Sequence, residues 1–207
     1  MKNISYFCVL KIQIICSCGS QMDILNTILT NSRTVFTPQS VLLLSNSDKR
    51  ISVGRSLMYY AKKGDIRNPR KGIYTKPVYD PQEMACALLK PSYISLEYVL
   101  SRAGITFQFR SDITCISYQN RTIVVDDVPY VFRKINPLFW TNMAGIEQRN
   151  NIAIATPERA FLDMMYLSAG QCYFDNLRPL NQKLVKQILP SYHSRILEQR
   201  VIKLLKQ

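Results

Sequence analysis

Residues 51–75 leave the chain few arrangements. Residues 51–63 carry Val53, Leu57, Tyr60 and Ala61 at helical spacing, and Gly64 stands where a helix closes on a left-handed residue. The spacing therefore predicts an amphipathic helix with a narrow apolar stripe. Ser52, Arg55, Ser56, Tyr59 and Lys63 are expected on the opposite stripe, polar and basic. Immediately after, Asp65-Ile66-Arg67 and Ile73-Tyr74-Thr75 flank Asn68-Pro69-Arg70-Lys71-Gly72. Two extended pieces around a Pro/Gly turn predict a β-hairpin with a cationic tip.

Upstream, Ile24, Leu25, Ile28 and Leu29 predict a short helix over 23–31 with Asp23 as its N-cap. Arg33-Thr34-Val35-Phe36 reads as extended. Thr37 caps a second helix to about Leu44, with Pro38 in its first turn, where the missing N–H costs nothing. Ser45-Asn46-Ser47-Asp48 is turn chemistry. Three helices followed by a hairpin is the order of a winged helix-turn-helix, expected over residues 22–76.

Charge points the same way. The 207 residues hold 27 Lys and Arg against 14 Asp and Glu, a net charge of +13, which favours a polyanionic partner. Over residues 49–76 the cations are Lys49, Arg50, Arg55, Lys62, Lys63, Arg67, Arg70, Lys71 and Lys76, and Asp65 is the one acid. A second excess closes the chain, where Arg178, Lys183, Lys186, Arg195, Arg200, Lys203 and Lys206 face only Glu198. A recognition helix presents polar and basic side chains to the major groove. Ser52, Arg55, Ser56 and Tyr59 are the candidates for base contact, Arg55 for a bidentate bond to guanine. Lys63, Arg67, Arg70 and Lys71 are the candidates for phosphate contact.

From residue 77 the pattern changes. Asp80 and Pro81 open a helix through Leu89, and Ser95 is expected to cap another to about Ala103. Residues 113–118, 121–125 and 128–135 alternate as three strands, with turns at Gln119-Asn120 and Asp126-Asp127, and 152–155 is a further strand. Thr156, Pro157 and Glu158 start a core helix running to about Ser168, and two helices, about 180–189 and 191–206, finish the chain. The expected fold class is α+β: a winged helix-turn-helix, then a mixed α/β domain over 77–207 with a small sheet and packed helices.

Catalytic signatures do not accompany this fold. His193, the one histidine, is expected as an ordinary residue of a basic C-terminal helix. The chain has no GxGxxG, Walker-type loop, HExxH or GxSxG. The competing reading is a nuclease-like, nucleic-acid-processing enzyme with Asp112, Asp126, Asp127 and Asp163 around a metal. Asp126-Asp127 reads more economically as a turn, and Asp163 as a surface residue on a packed helix. The expectation is therefore no catalytic residue, no metal site and no cofactor. Cys8, Cys16, Cys18, Cys86, Cys115 and Cys172 lack metal-site spacing and read as reduced thiols of a cytoplasmic protein. Residues 1–21 are unlike the remainder. Their apolar run is broken by Lys11 and Gln13 and is too short to span a bilayer, so they read as a loosely packed extension or as sequence upstream of a true start at Met22. The lipobox-like Ile15-Cys16-Ser17-Cys18 is the export alternative, and no membrane partner is expected.

Three strings carry a family likeness. Arg70-Lys71-Gly72-Ile73-Tyr74, Pro91-Ser92-Tyr93-Ile94-Ser95-Leu96-Glu97 and Ile154-Ala155-Thr156-Pro157-Glu158-Arg159-Ala160-Phe161-Leu162-Asp163 resemble, in order and rough spacing, the AbiEi-type antitoxins of abortive-infection toxin–antitoxin systems. The chain departs from that pattern at its N-terminal extension and at the bulky Tyr59-Tyr60 pair. The resemblance implies a bacterial DNA-binding repressor of its own operon, seated on inverted-repeat double-stranded DNA as two copies. It also implies a C-terminal domain that counters a cognate nucleotidyltransferase-like toxin. A transcription regulator with no toxin partner is the neighbouring reading.

Overall fold

The computed structural model describes residues 19–45, 50–108, 110–140, 142–169 and 171–206. The predicted extension up to residue 18, and residues 46–48 of the predicted turn, lie outside the described residues. The chain divides into two compact units, Met1–Asp80 and Pro81–Gln207. Among the described residues no helix is long and apolar enough to cross a membrane.

The first unit runs α1 (Gly19–Thr30), β1 (Val35–Phe36), α2 (Pro38–Leu44), α3 (Arg50–Lys63), β2 (Arg67–Arg70) and β3 (Ile73–Thr75). Helix α1 starts a turn earlier than its predicted cap, because nothing in Ser20-Gln21-Met22 breaks a helix; Asp23 is consequently an interior residue. The start of α2 follows the sequence closely. Thr37 Oγ1 accepts from the Ser40 amide at 3.2 Å, and Ser40 Oγ accepts from the Thr37 amide at 2.9 Å, a reciprocal capping box. Thr37→Ala removes one half of it and is expected to cost about 1 kcal/mol, read as a lower midpoint in urea at unchanged slope.

Helix α3 ends on a left-handed Gly64 (φ 89°). The Gly64 amide donates to the Ala61 carbonyl and the Asp65 amide to the Tyr60 carbonyl, the paired bonds of a Schellman stop. Strand β3 then pairs antiparallel with both β2 and β1, in the order β1-β3-β2. The hairpin turn starts at Lys71, three residues later than predicted, so Asn68, Pro69 and Arg70 lie within β2. The core of this unit is Ile24, Ile28, Phe36, Val41, Val53, Leu57, Tyr60, Ile66 and Tyr74. Helix α3 contributes three of these and α1 two, and burying each aliphatic one stabilises by about 1.5–3 kcal/mol.

The second unit runs α4 (Pro81–Leu88), β4 (Ser92–Ile94), α5 (Glu97–Arg102), β5 (Ile113–Ser117), β6 (Arg121–Val125), β7 (Val128–Lys134), β8 (Ile146–Arg149), β9 (Ile152–Ala155), α6 (Pro157–Leu167), α7 (Gln182–Ile188) and α8 (Arg195–Leu205). Its mixed six-stranded sheet has the order β6-β7-β5-β4-β9-β8. Two hairpins share one device. Asp126-Asp127 and Asn150-Asn151 both sit at positive φ as two-residue turns, residue types that tolerate the left-handed region. Strands β4 and β9 pair in parallel at the centre, and the helix after β9 begins at Thr156, whose side chain accepts from the Arg159 amide. The mixed α+β class expected from sequence holds, with one small and one larger sheet.

Candidate nucleic-acid interface

Helix α3 separates its residues by side. Val53, Leu57 and Tyr60 face the core, whereas Ser52, Arg55, Met58, Tyr59, Lys62 and Lys63 are exposed. Ser56 departs from the expected polar stripe: it is 2% exposed. It stands three residues after Val53 and four before Tyr60, which places it on the core side, and its small side chain fits there where a larger polar one would not. Base contact by Ser56 is thereby ruled out on this surface. Tyr59 packs edge-on against Tyr60 at 5.4 Å between ring centroids and still presents half its surface to solvent.

The hairpin continues the cationic surface. Arg67, Asn68 and Lys71 are exposed and Arg70 half-buried. Two cations have local partners: Lys63 reaches Asp65 at 3.3 Å, an exposed pair worth little, and the Arg67 guanidinium lies 5.9 Å from the Tyr79 ring centroid. Lys76 is half-buried and engaged locally. Its ammonium donates to the carbonyls of Leu29 and Asn31 at 3.0 and 2.6 Å, closing the end of α1. Lys62, counted among the cations of residues 49–76 but not among the candidates for phosphate contact, is exposed on the same side, three residues after Tyr59.

In the second unit the two distinctive strings meet. Arg159 and Asp163, one turn apart on α6, are both fully buried and paired through Nε and Oδ1 at 3.3 Å. Asp163 also accepts from Tyr93 at 3.0 Å, Ser95 at 2.7 Å and Tyr192 at 2.5 Å. The remaining nitrogens of Arg159 donate to the carbonyls of Asn142, Ala144 and Phe139 and to the Tyr93 hydroxyl. Burial pushes the Asp163 carboxyl above the usual carboxylate range, against the pull of Arg159 and of the three hydroxyls. Burial likewise raises the Tyr93 and Tyr192 phenols, so both stay protonated as donors.

Gly145 (φ 74°) makes this closure possible, because a Cβ there would come within 2.7 Å of Ile188 and 2.9 Å of the Arg159 side chain. Glu158, also buried, accepts from the Asn181 amide at 3.0 Å and so sets the start of α7. Two expectations are corrected: Asp163 is no surface residue, and Ser95 caps no helix, since its hydroxyl is spent on Asp163 and α5 starts after a Leu96 with φ 61°.

The four acids of the competing nuclease reading do not gather. Asp112 is bound bidentate by Arg110 at 2.8 Å, which draws its carboxyl below the ordinary value. Asp126 and Asp127 form their turn and Asp163 is enclosed. Among the described residues no three His, Cys, Asp or Glu side chains are grouped to hold a metal. His193 lies outside any helix, at positive φ (44°) before α8, because Ser194 rather than a residue near 191 caps that helix.

No family model matches the chain, and no curated protein is similar to it in sequence.

Proposed function

We propose that the chain is a DNA-binding repressor of its own operon, and that its second unit serves as the antitoxin half of a toxin–antitoxin pair. The observation that carries the DNA-binding part is the outward face of α3, polar and cationic, directly followed by a cationic hairpin in the same compact unit. The order of helices and strands is the one a winged helix-turn-helix uses, with α3 as recognition helix and the β2–β3 hairpin as wing. Ser52, Arg55 and Tyr59 read bases, and Lys63, Arg67, Arg70 and Lys71 hold phosphates. The antitoxin part rests on the resemblance of the three strings to AbiEi-type proteins. Two of these strings build the Tyr93–Ser95–Arg159–Asp163 cluster, so in this chain they have a structural role.

The test is binding of the full chain to a duplex from upstream of its reading frame, against a scrambled duplex, by fluorescence anisotropy. Tighter binding to the upstream sequence at a stoichiometry of two is expected. Equal affinity for both duplexes at every salt concentration would sink the repressor reading. Arg55→Ala is expected to reduce the preference by about 1–3 kcal/mol, the usual worth of one bidentate base contact. Its affinity for the scrambled duplex is expected to stay within about twofold, since one lost base contact leaves the phosphate contacts in place. Antitoxin action is tested by co-expression with a nucleotidyltransferase-like product of the adjoining gene, where restored growth is the expected result.

A further inference from the structure

The Pro81–Gln207 unit carries a second cationic surface that the duplex reading does not use. Three cavities of about 320, 250 and 440 Å³ meet at Cys172; the first also shares Gln171 with the second and Tyr173, Phe174 and Asp175 with the third, so they adjoin as a trough. Arg133 of β7 lines its first part, Arg200 and Lys203 of α8 its second and Arg178 its third. Among the described residues none of these four cationic groups makes an ion pair. By contrast Arg110, also in the wall, is neutralised by Asp112 and Glu97, and Asp175 accepts the Phe107 amide at 2.7 Å. Tyr173, a wall residue, is 80% exposed, and Phe107, tied by its amide to that wall, is 71% exposed.

We infer that this trough binds single-stranded nucleic acid. Unpaired cations along a concave track follow a phosphate backbone, and exposed aromatic faces beside them stack unpaired bases. A duplex keeps its bases stacked on one another and has no use for the aromatic rings. An acidic polypeptide would use the cations and gain nothing specific from planar stacking partners.

The experiment uses the full chain and fluorescein-labelled 15-mers of oligo-U RNA and oligo-dT DNA, with a random 15-base-pair duplex and polyglutamate as competitors. Binding of one or both single strands is expected, the RNA and DNA arms deciding between the two sugars. Tyr173→Ala is expected to weaken it about tenfold and Tyr173→Phe to restore it, since only the ring face matters. The pair Arg200→Gln and Lys203→Gln should flatten the plot of log affinity against log salt by about 1.4, at about 0.7 per phosphate contact. Arg55→Ala should leave single-strand binding unchanged, so failure here and failure of the repressor reading are separable. Indifference of single-strand affinity to Tyr173→Ala overturns the inference. So does displacement by the duplex or by polyglutamate at equal charge concentration.

Discussion

Arg159→Met is expected to destabilise the Pro81–Gln207 unit by about 3–5 kcal/mol, the cost of leaving one charge of a buried pair without its partner. Asp163 stays fully buried with three hydroxyl donors and no cation, and the carbonyls of Asn142, Ala144 and Phe139 lose the guanidinium they faced. In a thermal melt of the full chain this is expected as a fall of roughly 10 °C or more in the transition of the second unit. Arg159→Met combined with Asp163→Leu should recover part of the loss, because no lone charge remains. Recovery is incomplete, since Tyr93, Ser95 and Tyr192 then hold hydroxyls with no acceptor. A single-variant loss below about 1 kcal/mol would show that the pair contributes no more than an exposed one.

What was legible in the sequence was local. Thr37-Pro38, Thr156-Pro157 and Gly64 each specify an end of a helix through bonds to residues three or four positions away, and the structure places those ends accordingly. Asp126-Asp127 specifies a turn for the same reason. Strand β4 escaped because it is three residues long and takes its sheet partners from β5 and from β9, the latter about sixty residues on. Ser95 illustrates the limit. Its position before an apolar run looks like a cap, yet the partner that decides its conformation is Asp163, which only the folded sheet brings within reach. Ser56 shows the converse error, where polarity suggested solvent although the helical period already placed it between Val53 and Tyr60. The cationic excess over 178–207 was visible as composition, but that Arg178, Arg200 and Lys203 share a trough depends on loop 171–178 passing beside α8, which no spacing encodes.

Replacing Lys63, Arg67, Arg70 and Lys71 together by Gln is expected to weaken binding to any duplex about a thousandfold at 0.15 M salt. Each phosphate contact contributes a slope of about −0.9 to log affinity against log salt. Four lost contacts therefore flatten the plot by about 3.6, and between 1 M and 0.15 M salt that difference amounts to about three powers of ten. The loss should be the same on upstream and scrambled duplexes, because phosphates carry no sequence. The four positions are exposed or half-buried and outside the core of the unit, so the thermal transition should move little. The comparison with Arg55→Ala is what gives the result its force. The quadruple change lowers affinity for both duplexes and keeps the preference, whereas Arg55→Ala lowers the preference and keeps affinity for the scrambled duplex. A quadruple variant with an unchanged salt slope would mean that Lys63, Arg67, Arg70 and Lys71 meet no phosphate backbone, whatever their charge.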